Sequence, residues 1–306
     1  MTALSLGGKP IQDSYSETFT AAMAAVWVTG PAAAIACEAG YETKGLGRSA
    51  TQPPCEATVA SIDLDGSLTP DGRPGVEIHL FDRKVKHLRE CLAVRLRKGT
   101  LPYPGTAVFD ALPSEIADGE PIDLRGTVVQ RFADGFDEES TQTLGGRERT
   151  VLTLPRMDGP MTLECVLGTT MATTGGMFLV LGRDASVLDA ALRATRAAGD
   201  GDRLVTAKCA ASGSKVGGLN LTDMVATTNH RYCPSLRDRI GDSALAADVG
   251  CVYEVIVSGP TEAGVRDGMR AGIAEAVRHD AVLGIDTANY GGKLGSGQIP
   301  LREIVA

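Results

Sequence analysis

A chain of 306 residues with 43% apolar and 22% charged side chains is long enough for two modest domains and has the composition of a folded soluble protein. Its net charge of −8 excludes nucleic acid as the main partner, because phosphate binding needs a basic surface. No apolar run of about 18 residues offers a membrane span, and the residues after Met1 lack a basic stretch leading into an apolar core and cleavage site, so a cytoplasmic protein is expected.

Aromatic residues make up only 4% while glycine reaches 37 residues, so the core must come from Val, Leu, Ile and Ala with close backbone packing. In chain order, residues 23–29 predict a strand and 32–39 an Ala-rich helix. Residues 76–82 alternate apolar and polar and predict a half-buried strand. Residues 84–97 predict a helix with Val85, Leu88, Cys91, Leu92 and Leu96 on one face, and 105–110 a short strand.

Residues 117–161 differ: Asp118-Gly-Glu-Pro, Gly135-Phe-Asp-Glu-Glu and Leu144-Gly-Gly-Arg are turn chemistry. The alternating stretches 124–132 and 150–154 are expected to pair around that acidic turn. The earlier order then repeats, with a strand at 177–182, a helix at 186–198, a strand at 252–258, a helix at 261–279 and a strand at 282–287. Val265, Met269, Ile273 and Val277 stripe the last helix. Each half reads strand–helix–strand–strand–helix–strand. The expected fold class is α+β, two ferredoxin-like (split βαβ) lobes from an internal duplication, spanning 1–157 and 158–306. Generic α/β alternation is the plainer alternative.

Seven scattered cysteines without Cys-x-x-Cys or zinc spacing predict reduced, mostly buried thiols and no metal site. No nucleophile elbow, Walker loop or His-Glu-x-x-His is present, and four histidines are too dispersed for a His-based mechanism. Three stretches break local structural rules instead. Ala211-Ser-Gly-Ser-Lys-Val-Gly-Gly218 combines exposed backbone N–H groups, two hydroxyls and an ammonium, a design suited to an anion; a plain surface loop is the alternative. Thr227-Thr-Asn-His-Arg-Tyr-Cys-Pro234 offers an amide, a phenol and a cation to a polar ring system, or is an ordinary rigid loop. Asp286-Thr-Ala-Asn-Tyr-Gly-Gly-Lys-Leu-Gly295 is a polar glycine-rich turn directly after a strand.

Glu254, in Cys251-Val-Tyr-Glu-Val-Ile-Val, reads either as the solvent face of a strand or as a carboxylate among apolar neighbours with a raised pKa, suited to acid/base work. The counterpart strand 76–82 holds Glu77 and His79 but no Tyr-Glu pair, so the feature is expected in one lobe only.

With Asp13-Ser-Tyr-Ser-Glu-Thr-Phe19, Pro70-Asp-Gly-Arg-Pro-Gly75, Ala107-Val-Phe-Asp-Ala-Leu-Pro113 and Asp134-Gly-Phe-Asp-Glu-Glu139, these stretches resemble the formylmethanofuran:tetrahydromethanopterin formyltransferases. The resemblance implies direct formyl transfer without a covalent intermediate, in a cleft near a subunit contact, with tetrahydromethanopterin and a methanofuran-type carrier as co-substrates and no metal. It implies Glu254 as the acid/base group and Ser212, Ser214, Lys215, Asn229, Tyr232, Asn289 and Lys293 as substrate contacts. Arg-rich composition and a modest acidic excess resemble the branch of methylotrophic bacteria, a subunit of a formyltransferase/hydrolase complex in formaldehyde oxidation. That implies a homo-oligomer joined to formylmethanofuran dehydrogenase/hydrolase-like subunits, with neither nucleic acid nor membrane as partner. Covalent catalysis by Cys233 or Cys251, a non-catalytic assembly subunit, and a metabolite-binding regulatory protein are the competing readings.

Overall fold

A computed structural model describes residues 4–45, 55–211, 230–289, 291–293 and 295–306. Its main elements are β1 (Tyr15–Thr29), α1 (Ala33–Lys44), β2 (Glu56–Asp63), β3 (Gly75–Asp82), α2 (Val85–Arg95), β4 (Ala107–Asp110), β5 (Glu138–Leu144), β6 (Arg147–Leu154), β7 (Met161–Glu164), β8 (Thr170–Gly182), α3 (Val187–Asp200), β9 (Thr206–Ala210), β10 (Cys251–Gly259), α4 (Glu262–Ala276), β11 (Val282–Asp286) and β12 (Gly297–Pro300). No helix among the described residues is long and apolar enough to cross a membrane.

Among the described residues the chain forms two compact units, one of residues 21–171 and one of residues 4–20 with 172–306. Two pairings account for the composition of these units. β7 pairs in parallel with β4 (Thr162↔Ala107) and antiparallel with β6, which keeps it in the first unit. The start of β1 pairs with β12, from Tyr15↔Pro300 to Thr18↔Gly297, which draws residues 15–18 into the second.

In the first unit β3 lies between β2 and the second part of β1, and β4 flanks β1 on its other side, all antiparallel. Alternate residues of these strands (Ala22, Ala24, Val26 and Val28; Val76, Ile78 and Leu80) share one core with Leu88, Leu92 and Ala93 of α2. Each fully buried Val, Leu or Ile contributes about 1.5–3 kcal/mol of burial free energy, so this face dominates the unit's stability. β3 is buried on both faces, not half-buried as its alternation predicts. Glu77 and His79 are 0% exposed. Each compensates the other: the imidazole Nε2 and Glu77 Oε1 are 2.9 Å apart, and Ser61 Oγ donates to Oε2 at 3.2 Å.

The expected pairing of 124–132 with 150–154 is also corrected. β6 pairs with β5, from Glu138↔Thr153 to Leu144↔Arg147, while Gln130–Ala133 is a short helical turn. Gly145 and Gly146 have φ of 60° and 76°, the double left-handed turn that matches strand twist and fixes this hairpin.

In the second unit the later part of β8 lies between β10 and β11, with β9 outside β10. The connectivity and order of the four strands are those of the first unit, second–third–first–fourth, where β7 continues the sheet beyond β4. Helices α3 and α4 cover one face, and Phe178, Val180, Val255, Val257 and Ile285 point into their core with Val265, Met269 and Ile273. Any Cβ at Gly268 or Gly272 would fall 2.7 Å and 2.9 Å from the carbonyl oxygens of Ala198 and Ala194, so glycine there lets α4 close on α3. Thr261 caps α4 by accepting from the Gly264 N–H at 3.1 Å.

Candidate active site

Residue parity along β10 decides how Glu254 is oriented. Val255 and Val257 belong to the helix-covered core, and Cys251 and Tyr253 pack against it, so Glu254 points to the opposite face of the sheet. It is nevertheless only 6% exposed, which removes the reading of a solvent-facing strand position. Register places Ala210 of β9 and Leu179 of β8 on its two sides, and Asp286 of β11 beyond Leu179. Neighbouring strands are about 4.8 Å apart, so the Glu254 and Asp286 positions are about 10 Å apart on one face. Lys208, opposite Ile256, has the same parity, since Ala207 and Cys209 contact the core.

β8, β9, β10 and β11 contain three charged residues, and all three occupy this face: Lys208, Glu254 and Asp286, exposed by 7%, 6% and 7%. Burying a charge costs several kcal/mol before any partner compensates it. Three on one face of an otherwise apolar sheet mark a candidate site for chemistry.

Asp286 ends β11 and accepts from Ser14 Oγ at 2.9 Å and from the Thr287 N–H at 2.7 Å. Burial pushes its carboxyl above the usual carboxylate range, against the lowering effect of those donors. Burial, with the adjacent Asp286 charge, pushes the Tyr232 hydroxyl up to about 12, so the phenol keeps its proton at neutral pH and donates to the Thr287 carbonyl at 3.1 Å. Asn289 donates from Nδ2 to the Tyr15 carbonyl at 3.2 Å and accepts the Gly291 N–H at 3.0 Å, which ties the glycine turn to the start of β1. Gly291 and Gly292 are left-handed there, with φ of 72° and 74°.

Ala210 is the last residue of β9 and Asp286 the last of β11, so the two strands end on either side of Glu254, and the glycine-rich turn singled out in the sequence begins at Asp286. Family models match nearly the whole chain: formylmethanofuran-tetrahydromethanopterin formyltransferase over residues 4–155, and its proximal lobe over 159–304. The formylmethanofuran–tetrahydromethanopterin formyltransferase of Methanocaldococcus jannaschii is 36% identical over 307 residues, covering 98% of this chain and 99% of its own.

The chain belongs to the formylmethanofuran–tetrahydromethanopterin formyltransferase family.

Two solved structures of that family are similar throughout. The Methanosarcina barkeri formyltransferase superposes with a TM-score of 0.82 at 34% identity, covering 98% of this chain and 100% of its own. A chain of the formyltransferase/hydrolase complex (FhcABCD) from Methylorubrum extorquens, solved with methylofuran, superposes with a TM-score of 0.87 at 30% identity, covering 100% and 99%.

Of the residues that the formyltransferase resemblance names, Glu254, Tyr232, Asn289 and Lys293 lie in the second unit; Ser212, Ser214, Lys215 and Asn229 lie outside the described residues. Tyr232 and Asn289 reach the end of β11 and the start of β1, and Lys293 is exposed. Sequence reasoning missed Lys208 and Ser14 and noted Asp286 only as the start of a turn. Lys208 carries the same signal as Glu254, a lone charge in an apolar strand (Thr-Ala-Lys-Cys-Ala).

Cys251 packs against the core on the face opposite Glu254. Burial pushes the Cys55 thiol up to about 12 and the Cys165 thiol up to about 11, which makes both inert. Among the described residues no group of three or more His, Cys, Asp or Glu is arranged to hold a metal ion.

The Tyr-Glu pair occurs in one lobe, as expected, but the glutamate itself has a counterpart in the other. Glu77 precedes the first residue of α2 (Val85) by eight positions, as Glu254 precedes that of α4 (Glu262), and it too is buried. Its cross-strand neighbours, Ser61 and Trp27, correspond to Ala210 and Leu179.

Proposed function

We propose that this chain moves a formyl group between N-formylmethanofuran, or a methanofuran analogue, and tetrahydromethanopterin by direct transfer, with Glu254 as acid/base group. The observation that carries the reading is the buried Glu254 carboxyl on a charged sheet face between the ends of β9 and β11. The acceptor nitrogen attacks the formyl carbon, and the carbonyl electron pair moves to oxygen to give a tetrahedral oxyanion. The ionised Glu254 takes the proton from the attacking nitrogen and returns it to the departing one. The old C–N bond then breaks as the carbonyl reforms. Holding both amines together contributes several kcal/mol, and each hydrogen-bond donor to the oxyanion on the order of 3 kcal/mol. Tyr232, which keeps its proton, Asn289 and Lys293 are substrate contacts in this reading, as are Ser212, Ser214, Lys215 and Asn229.

The two units are ferredoxin-like lobes from one duplication, supported by their shared strand order and by the corresponding glutamates. The similarity to the Methylorubrum extorquens formyltransferase/hydrolase complex supports a hetero-oligomer with a hydrolase; in this reading the assembly is cytoplasmic and serves formaldehyde oxidation. A non-catalytic assembly subunit would have no use for three buried charges on one sheet face. The test is to mix purified chain with formylmethanofuran and tetrahydromethanopterin and to follow formyl appearance on the pterin, alone and in the native assembly. Transfer supports the proposal; its absence in both preparations refutes it.

A further inference from the structure

Lys208 is the charged residue of the sheet face that the acid/base reading leaves without a task. It stands diagonally across the β9–β10 pair from Glu254, since Lys208 opposes Ile256 and Ala210 opposes Glu254. Diagonal neighbours on one face are about 7–8 Å apart at the backbone, within reach of a long side chain. Lys208 and Glu254 are both nine-tenths or more buried, at 7% and 6% exposure, so neither charge is screened by bulk water.

The other described side chains on this face of the neighbouring strands are these. β8 contributes Met177, Leu179 and Leu181 beside β10, β10 itself Val252 and Ile256, and β11 the Asp286 carboxyl with the Tyr232 hydroxyl beside it. The other unit repeats the design. There the buried Glu77 has its partner at the next position of the same face, with His79 Nε2 at 2.9 Å from Oε1. In the second unit that place on the strand is taken by Ile256, and Lys208 stands opposite it.

We propose that Lys208 is a positioning residue for formyl transfer: its ammonium group orients the Glu254 carboxyl and sets the pH at which that carboxyl exchanges its proton. Burial disfavours the ionised carboxylate, whereas a cation within about 4–6 Å favours it by 1–3 pH units. The two effects oppose each other, and their balance sets how readily the carboxyl takes up and returns a proton. The inference rests on the acid/base reading of Glu254.

The experiment is the pH profile of kcat/KM for the full chain with formylmethanofuran and tetrahydromethanopterin, in wild type, Lys208→Met, Lys208→Gln and Lys208→Arg. It is paired with an infrared titration of the carboxyl C=O stretch, assigned by its loss in Glu254→Gln. The titration needs no turnover. Lys208→Met and Lys208→Gln are expected to move the Glu254 titration upward by at least about one pH unit, and Lys208→Arg to restore it. Lys208→Gln keeps a hydrogen-bond donor and gives the same reading should the methionine variant fail to fold. A Glu254 titration unmoved in the uncharged variants overturns the proposal. Wild-type turnover in Glu254→Gln would refute the acid/base reading alone. An inactive Glu254→Gln with an unmoved titration would refute the role of Lys208 alone.

Discussion

Glu254→Gln keeps the side chain's size and its ability to accept a hydrogen bond, and removes only proton exchange. At 6% exposure the residue is packed on all sides, so an isosteric change leaves its neighbours in place. A neutral amide also sheds the desolvation cost of the carboxylate. Stability is therefore expected to change by less than the roughly 3–5 kcal/mol of breaking a buried ion pair, since the amide oxygen still accepts from a donor. General acid–base assistance is worth about 10²–10⁴ in rate. Turnover should thus fall at least about 100-fold, or about 2.7 kcal/mol at 1.36 kcal/mol per decade. KM should change little, because proton transfer is felt in the transition state rather than in substrate binding. Quench-flow transfer of ¹³C-formyl from formylmethanofuran to tetrahydromethanopterin measures the step, and a thermal melt checks the fold. Turnover within about threefold of wild type in a folded Glu254→Gln protein would refute the assignment.

Arg149→Met probes the buried cluster in which Arg149 pairs with Glu164, and Glu164 Oε2 accepts the Asp110 N–H at 2.8 Å. Burial pushes both carboxyls above their usual range, so their protonated forms are favoured by folding. Removing the guanidinium raises Glu164 further. The loss should therefore be small below the unfolded carboxyl range of about 4, grow as pH rises through the folded values, and reach about 3–5 kcal/mol at neutral pH. Urea unfolding at acid and neutral pH measures it, and a pH-independent deficit refutes the argument. Cys233→Ala and Cys251→Ala should retain turnover, since the Cys251 thiol faces the core on the side away from Glu254; loss of transfer in a folded variant would revive covalent catalysis.

Much of the fold was legible because strand and helix periodicities are local. The stripe Val265, Met269, Ile273 and the alternation of β1 and β3 state which side chains share a core. What failed was non-local. Tyr15–Thr20 is polar and carries little strand signal by itself, and its pairing partner lies at the far end of the chain, in β12. The exposed strand β5, Glu-Glu-Ser-Thr-Gln-Thr-Leu, has no apolar face, so the more hydrophobic 124–132 was preferred; the glycine turn was the better signal. Glu254 shows the same limit. Period-two parity separates it from Val255, but no local pattern states whether its face meets water or protein.

The corresponding glutamates explain why one lobe and not the other carries the acid/base candidate. Glu77 has His79 at one oxygen and the Ser61 hydroxyl at the other. At the place of Ser61 the second unit has Ala210, which supplies no hydroxyl, and β9 ends there. Ala210→Ser restores the donor across from Glu254. A hydrogen bond to an ionised group is worth about 1.5–3 kcal/mol, equivalent to about one to two pH units at 1.36 kcal/mol per unit. It favours the charged carboxylate, so the Glu254 titration should move down, the direction opposite to Lys208→Met. A carboxylate of lower pKa is a weaker base toward the attacking nitrogen, so turnover should fall about tenfold with the fold intact. An upward shift, or none, would show that the hydroxyl does not reach the carboxyl and that the two lobes do not share the local geometry their registers describe.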